Sequence, residues 1–222
     1  MAGLRPGMTD TMIFDIDGTL VDSNYQTALA WYRAFRRHNI VVPIWQIHRA
    51  VGMGGDQLVA ALTDDDVEAE LGDALRKEWG EEFEPLIGEV APFDGVAELL
   101  ADVHARGVKI AFACSGKPEH VEHYVGLIGA KPYVDAWTTA KDVEHTKPAP
   151  DLVEVALSRV KGIEAVMIGD SIWDAAAAKK IGVPTYAVRS GGFGADELIE
   201  AGAVNVYDSV AQLRSELDVI LA

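Results

Sequence analysis

An open parallel α/β sheet interrupted by an inserted helical unit is the fold that this 222-residue sequence predicts, and three features predict it. Short apolar runs that end in polar or glycine-rich turns recur along the chain. Segments of helical periodicity separate those runs. One interval between runs is far too long to be a single crossover.

The first run is TMIFD at 11–15, closed by Asp-Gly-Thr. The others are VKIAFA at 108–113 before CSGKP, AVMIG at 165–169 before Asp-Ser, and PTYAVR at 184–189 before SGGFG. Apolar runs of this length bounded by turn residues read as buried strands. Helical patterns occupy 94–107, 118–130, 151–162 and 171–182. Strand alternating with helix implies right-handed βαβ units and a parallel sheet covered on both faces, a three-layer α/β/α core.

From Asp17 to Val108 the chain runs for about ninety residues, whereas a βαβ unit takes roughly thirty or slightly more. The excess reads as helical throughout, in YQTALAWYRAFRRHN, IWQIHRAVG, GDQLVAAL and DDDVEAELGDALRKEWGEEFEPL. The expected division is a core of 1–21 and 89–222 with a helical cap of 22–88, EVAPFDG at 89–95 forming the return hinge. Asp64, Asp65 and Asp66 suit a helix start, where the dipole favours acidic residues. Residues 1–10 carry no periodicity and are expected to be a loose lead-in.

Composition narrows the function. Nineteen Lys and Arg face 35 Asp and Glu, a formal charge of -16, which argues against nucleic acid and anionic membrane as partners. The single cysteine, Cys114, allows no intrachain disulfide, and no leader, spanning run or lipidation signal is evident, so a soluble cytoplasmic protein is expected.

In open parallel sheets, ligands bind beyond the carboxyl ends of the strands. The polar residues there are Asp15 and Asp17, Ser115, and Asp170 with Asp174; Lys147 precedes another helix. Carboxylates crowded into one crevice repel one another, and a hard divalent cation such as Mg²⁺ is an economical way to hold them together. A carboxylate can attack phosphorus and split a slow hydrolysis into two easier steps. Asp15 is the candidate nucleophile, and Asp17, two residues on, is placed to move the proton. Lys147 and Ser115 would neutralise and hydrogen-bond the phosphoryl oxygens.

FDIDGTLVDS (14–23), Ser115 after its apolar run, Lys147 in KPAPD and GDSIWD (169–174) resemble, in order, the four motifs of the haloacid dehalogenase superfamily. The closer resemblance is to its phosphoglycolate phosphatase and β-phosphoglucomutase branch. It implies a Rossmann-like core with a helical cap inserted after the first strand, and a Mg²⁺-dependent phosphatase that works through an aspartyl-phosphate. It further implies that Asp15 is the nucleophile and Asp17 the general acid/base, with Ser115, Gly116 and Lys147 binding phosphate. Asp15, Asp170 and the Asp17 backbone carbonyl would hold the metal, with Asp174 supporting it. The substrate is expected to be a small phosphorylated metabolite, phosphoglycolate-like or a sugar phosphate.

The cap segment HRAVGMGGDQL nominates Arg49, Gly54 and Gly55 as substrate-binding residues, since glycines permit close backbone approach and arginine offers a bidentate fork. His120 and His123 read as a polar helix face. A sugar phosphomutase is the nearest alternative, although that group usually carries Glu-Asp where this chain has Gly169-Asp170. A phospho-acceptor or binding module is the alternative from another class. The oligomeric state, monomer or dimer, is left open.

Overall fold

The structure is a computed structural model that describes residues 8–222. Strand β1 (Thr11–Phe14) is followed by four helices, α1 (Asn24–Arg37), α2 (Ile44–Ala50), α3 (Gly55–Leu62) and α4 (Asp65–Phe83). Then come α5 (Val96–Ala105), β2 (Lys109–Ala113), α6 (Pro118–Ile128), β3 (Ala136–Thr138), α7 (Asp151–Val160) and β4 (Ala165–Gly169). The chain closes with α8 (Ile172–Lys180), β5 (Thr185–Val188), α9 (Ala195–Ala201), β6 (Ala203–Tyr207), α10 (Val210–Ser215) and α11 (Leu217–Ile220).

The six strands form one sheet, all neighbours parallel, in the order β3-β2-β1-β4-β5-β6. Side chains of a strand alternate between faces. Met12 and Phe14 accordingly join α5, α6 and α10 in one apolar cluster, while Ile13 joins α7 and α8 in a second. This is the Rossmann-like three-layer core that the apolar runs predicted. Two strands were not foreseen. β3 is a three-residue edge strand and β6 an edge strand with exposed Val204 and Asn205, so neither shows the continuous apolar run of a buried strand.

The helices inserted between β1 and α5 bury a cluster of their own, with Trp31, Phe35, Ile47, Leu58 and Leu75 at its centre. Asp64 caps α4, its carboxylate accepting the Val67 N–H at 2.8 Å. The chain returns through Pro92, which bridges Val21. Of the expected lead-in, residues 1–7 lie outside the described residues. Thr9 and Asp10 are tied down, donating backbone N–H groups to the carbonyls of Leu221 and Glu164. Among the described residues no helix is long and apolar enough to cross a membrane.

Register positions the site. Phe14, the last residue of β1, lies level with Phe112 of β2 and Ile168 of β4. The chain therefore leaves three adjacent strands at one rim, on either side of the point where the strand order reverses. That is the crevice in which open α/β sheets bind ligands.

Candidate active site

Asp15 follows β1 directly and is buried, and the Lys147 ammonium donates to its Oδ1. The same ammonium donates to Asp174 Oδ1 at 2.8 Å. Asp174 lies in the first turn of α8, where its Oδ2 accepts the Ser171 N–H at 3.1 Å and the Ser171 hydroxyl at 2.6 Å. One carboxylate thus caps its own helix and orients the lysine. Asp170, at the end of β4, accepts from Thr19 Oγ1 at 2.7 Å and from Asn24 Nδ2 at 3.2 Å.

Three buried carboxylates, Asp15, Asp170 and Asp174, bring one oxygen each within 4.8 Å of the others. Burial pushes the Asp15 carboxyl well above the usual carboxylate range; Lys147 opposes this, and the neighbouring aspartates add to it. Burial and the Asp174 charge push Asp170 up to about 7, against the pull of Thr19 and Asn24. Burial also works against the Lys147 ammonium, but Asp15 and Asp174 outweigh it and its pKa rises. One ammonium against three carboxylates leaves the cluster short of positive charge. An oxygen-rich, electron-pair-rich pocket of this kind fits Mg²⁺.

Asp17 stands one step outward. Ser23 Oγ donates to its Oδ1 at 2.5 Å and the Cys114 thiol to its Oδ2 at 3.5 Å. Asp15, Asp17, Ser115 and Gly116 form the floor of a cavity of about 140 Å³ between the sheet rim and the inserted helices. Lys147, Asp170 and Asp174 are buried alongside Asp15 and do not line it. The Ser115 hydroxyl is buried and has no hydrogen-bond partner among the described residues.

Gly54 and Gly55 line the cavity, but Arg49 does not. Its guanidinium pairs with Glu197 at 2.5 Å and lies over the Phe193 ring, 4.0 Å from the centroid, so it fastens the helical unit to the core. The cations that do reach the cavity are Arg76 and Lys117. Aromatic residues supply its wall: Trp79 stacks on Trp31 and Phe83 at 5.6 and 5.2 Å between centroids, with Tyr124 alongside. His120 is also part of the lining rather than a polar face, because Trp79 and Phe83 of α4 cover it. Sequence reasoning missed this wall. The spacing Arg76, Trp79, Phe83, which places all three on one side of a helix, was the available signal.

The family model for haloacid dehalogenase-like hydrolases matches residues 9–182. The chain belongs to the haloacid dehalogenase-like hydrolases. Among sequence relatives, a phosphoglycolate phosphatase from Rhodospirillum rubrum is 30% identical over 93% of this chain and 90% of its own length. A validoxylamine A 7'-phosphate phosphatase from Streptomyces hygroscopicus subsp. limoneus is 27% identical over 79% of this chain and 84% of its own. A solved hydrolase from Pseudomonas syringae superposes with a TM-score of 0.90 at 31% identity, covering 96% of this chain and 99% of that one. As a haloacid dehalogenase-like hydrolase the chain is an enzyme, and its relatives place it with the phosphatases.

Proposed function

We propose that this hydrolase is a Mg²⁺-dependent phosphomonoesterase that turns over through a phosphorylated Asp15. The observation that carries the reading is the junction of Asp15, Lys147, Asp170 and Asp174 at the rim where β1 and β4 part, with Asp17 facing the cavity just outside it. Asp15 attacks phosphorus as the ester P–O bond breaks. Asp17 gives its proton to the departing alkoxide, then takes one from the water that cleaves the acyl-phosphate and restores Asp15. Ser115 and Gly116 are assigned to the phosphoryl oxygens, and Lys147 to holding and neutralising Asp15. Asp15, Asp170 and the backbone carbonyl of Asp17 are assigned to Mg²⁺, with Asp174 in support; bound there, the metal supplies positive charge to the phosphoryl group.

Residues 22–88 act in this reading as a cap that excludes water and shapes the leaving-group site. An aromatic wall of Trp31, Trp79, Phe83 and Tyr124 suits an alcohol with an apolar face. This favours the sugar-phosphate side of the substrate class, since a two-carbon acid leaves most of the wall unmatched. Arg76 is already paired with Glu68 and Asp73, whereas Lys117 has no carboxylate partner among the described residues. Hydrolysis rather than transfer is supported at Gly169, where a Cβ atom would sit 2.5 Å from the Asp174 side chain and leave no room for the usual mutase glutamate.

Removal of Mg²⁺ by a chelator is expected to silence phosphate release across a panel of sugar and organic acid phosphates, and added Mg²⁺ to restore it. Chelator-insensitive turnover would contradict the metal assignment. Asp17→Asn keeps the bond from Ser23 but cannot shuttle a proton, so turnover of alkyl phosphates should fall by about 10²- to 10⁴-fold. The loss should shrink for p-nitrophenyl phosphate, whose leaving group needs no proton. An equal loss on both substrates would remove Asp17 from the acid role.

A further inference from the structure

Asp56 lies in the first turn of α3, in the inserted helical unit, and reaches across to the core at Thr146. The Thr146 backbone N–H donates to Asp56 Oδ2 at 3.1 Å, and the Thr146 hydroxyl donates to Asp56 Oδ1. Gln57 Nε2 adds a third bond, at 2.9 Å to Oδ2. Burial alone would raise the Asp56 carboxyl, yet these donors hold it below the usual carboxylate range, so the group is an anion at neutral pH. Gly54 explains how the two elements come so close. A Cβ there would collide with the Thr146 side chain, so only glycine permits the approach.

Thr146 immediately precedes Lys147, whose side chain is 1% exposed and whose ammonium pairs with Asp15 and Asp174. The segment between the 3₁₀ turn at Ala140–Asp142 and α7 has no regular structure to hold it. A bidentate grip by a charged acceptor on both the N–H and the hydroxyl of Thr146 fixes that backbone in translation and in rotation. Hydroxyl alone would leave the peptide free to turn.

We propose that Asp56 is a positioning residue that acts through Thr146, so that Lys147 is held against Asp15 only while the cap rests on the core. Substrate enclosure and neutralisation of the nucleophile are then one event, and an open cap leaves Lys147 free to drift from its partners. What Lys147 does for catalysis rests on the functional reading above. That Asp56 places Lys147 does not.

Two readouts separate those claims. The first is steady-state turnover of p-nitrophenyl phosphate by the wild-type Mg²⁺-loaded protein and by Asp56→Ala. Displacing a catalytic group by about 1 Å costs on the order of 10²-fold in kcat, and that loss is expected with KM within about threefold. The second needs no activity. Acetic anhydride labelling followed by peptide mass spectrometry should find Lys147 protected in the wild type and labelled several-fold faster in Asp56→Ala.

Thr146→Val, close in volume, removes one of the two donors and should shift both readouts in the same direction. Thr146→Ser keeps both donors and should restore them. The Thr146 pair decides the matter if Asp56→Ala fails to fold. Unchanged kcat together with unchanged Lys147 labelling overturns the inference, as does a loss confined to KM. A wild type that releases no phosphate, but whose Lys147 becomes labelled in Asp56→Ala, overturns the functional reading and leaves the positioning role standing.

Discussion

Asp15→Asn is expected to abolish phosphate release while leaving the fold intact. The replacement is nearly isosteric, so the Lys147 ammonium keeps an oxygen at the Asp15 position and its bond to Asp174. It removes one of three buried carboxylates; burial first, and then the charge of neighbouring aspartates, already raise the Asp15 and Asp170 pKa values. The metal-free variant should therefore unfold at a urea concentration no lower than the parent. An amide oxygen is a poor nucleophile towards phosphorus, and loss of a nucleophile from a concerted site costs on the order of 10⁶-fold. Acid quenching of the parent during turnover of a ³²P-labelled ester should trap label on the peptide containing Asp15, and none on the variant. Residual turnover within 10²-fold of the parent would mean that water attacks the ester directly.

The sequence showed the chemistry of this site more clearly than its enclosure, and the reason is physical. Asp15, Asp17, Ser115 and Asp170 each follow a buried strand, so the change from apolar run to polar turn marks them in one dimension. Parallel register then carries them to a common rim without any further information. The enclosure depends on contacts between segments distant in the chain. Arg49 looks like a phosphate fork until Glu197, 148 residues away, is seen to occupy it. His120 looks like a polar surface residue until Trp79 and Phe83 cover it. Gly54 invites the reading of a ligand contact, yet the atoms that forbid a side chain there belong to Thr146. Edge strands β3 and β6 escaped notice for a related reason, since a strand with one side unpaired and partly exposed need not be apolar.

Lys147→Met is expected to cost both activity and stability, and the two losses should come apart in a double mutant. The ammonium is buried between Asp15 and Asp174, and removing one partner of such a set costs about 3–5 kcal/mol because the remaining charges lose their compensation. A pair of this kind is a poor stabilising device, since burial of the ions offsets most of their attraction. The proposed reaction gives it a use: burial and the acidic neighbours raise the Asp15 carboxyl, and a fixed positive charge beside it opposes them and favours the ionised form. Loss of one preorganised electrostatic group typically lowers kcat by about 10²- to 10³-fold. Here an effect on the ionisation of Asp15, the proposed nucleophile, comes in addition, so a loss of about 10³-fold or more is expected for phosphate release. Combining Lys147→Met with Asp15→Asn removes the orphaned charge along with its partner. Urea denaturation should then show the double variant more stable than Lys147→Met alone, while phosphate release stays at background. A double variant as unstable as the sum of the two single variants would show that Lys147 supports the fold through its packing, not through its charge.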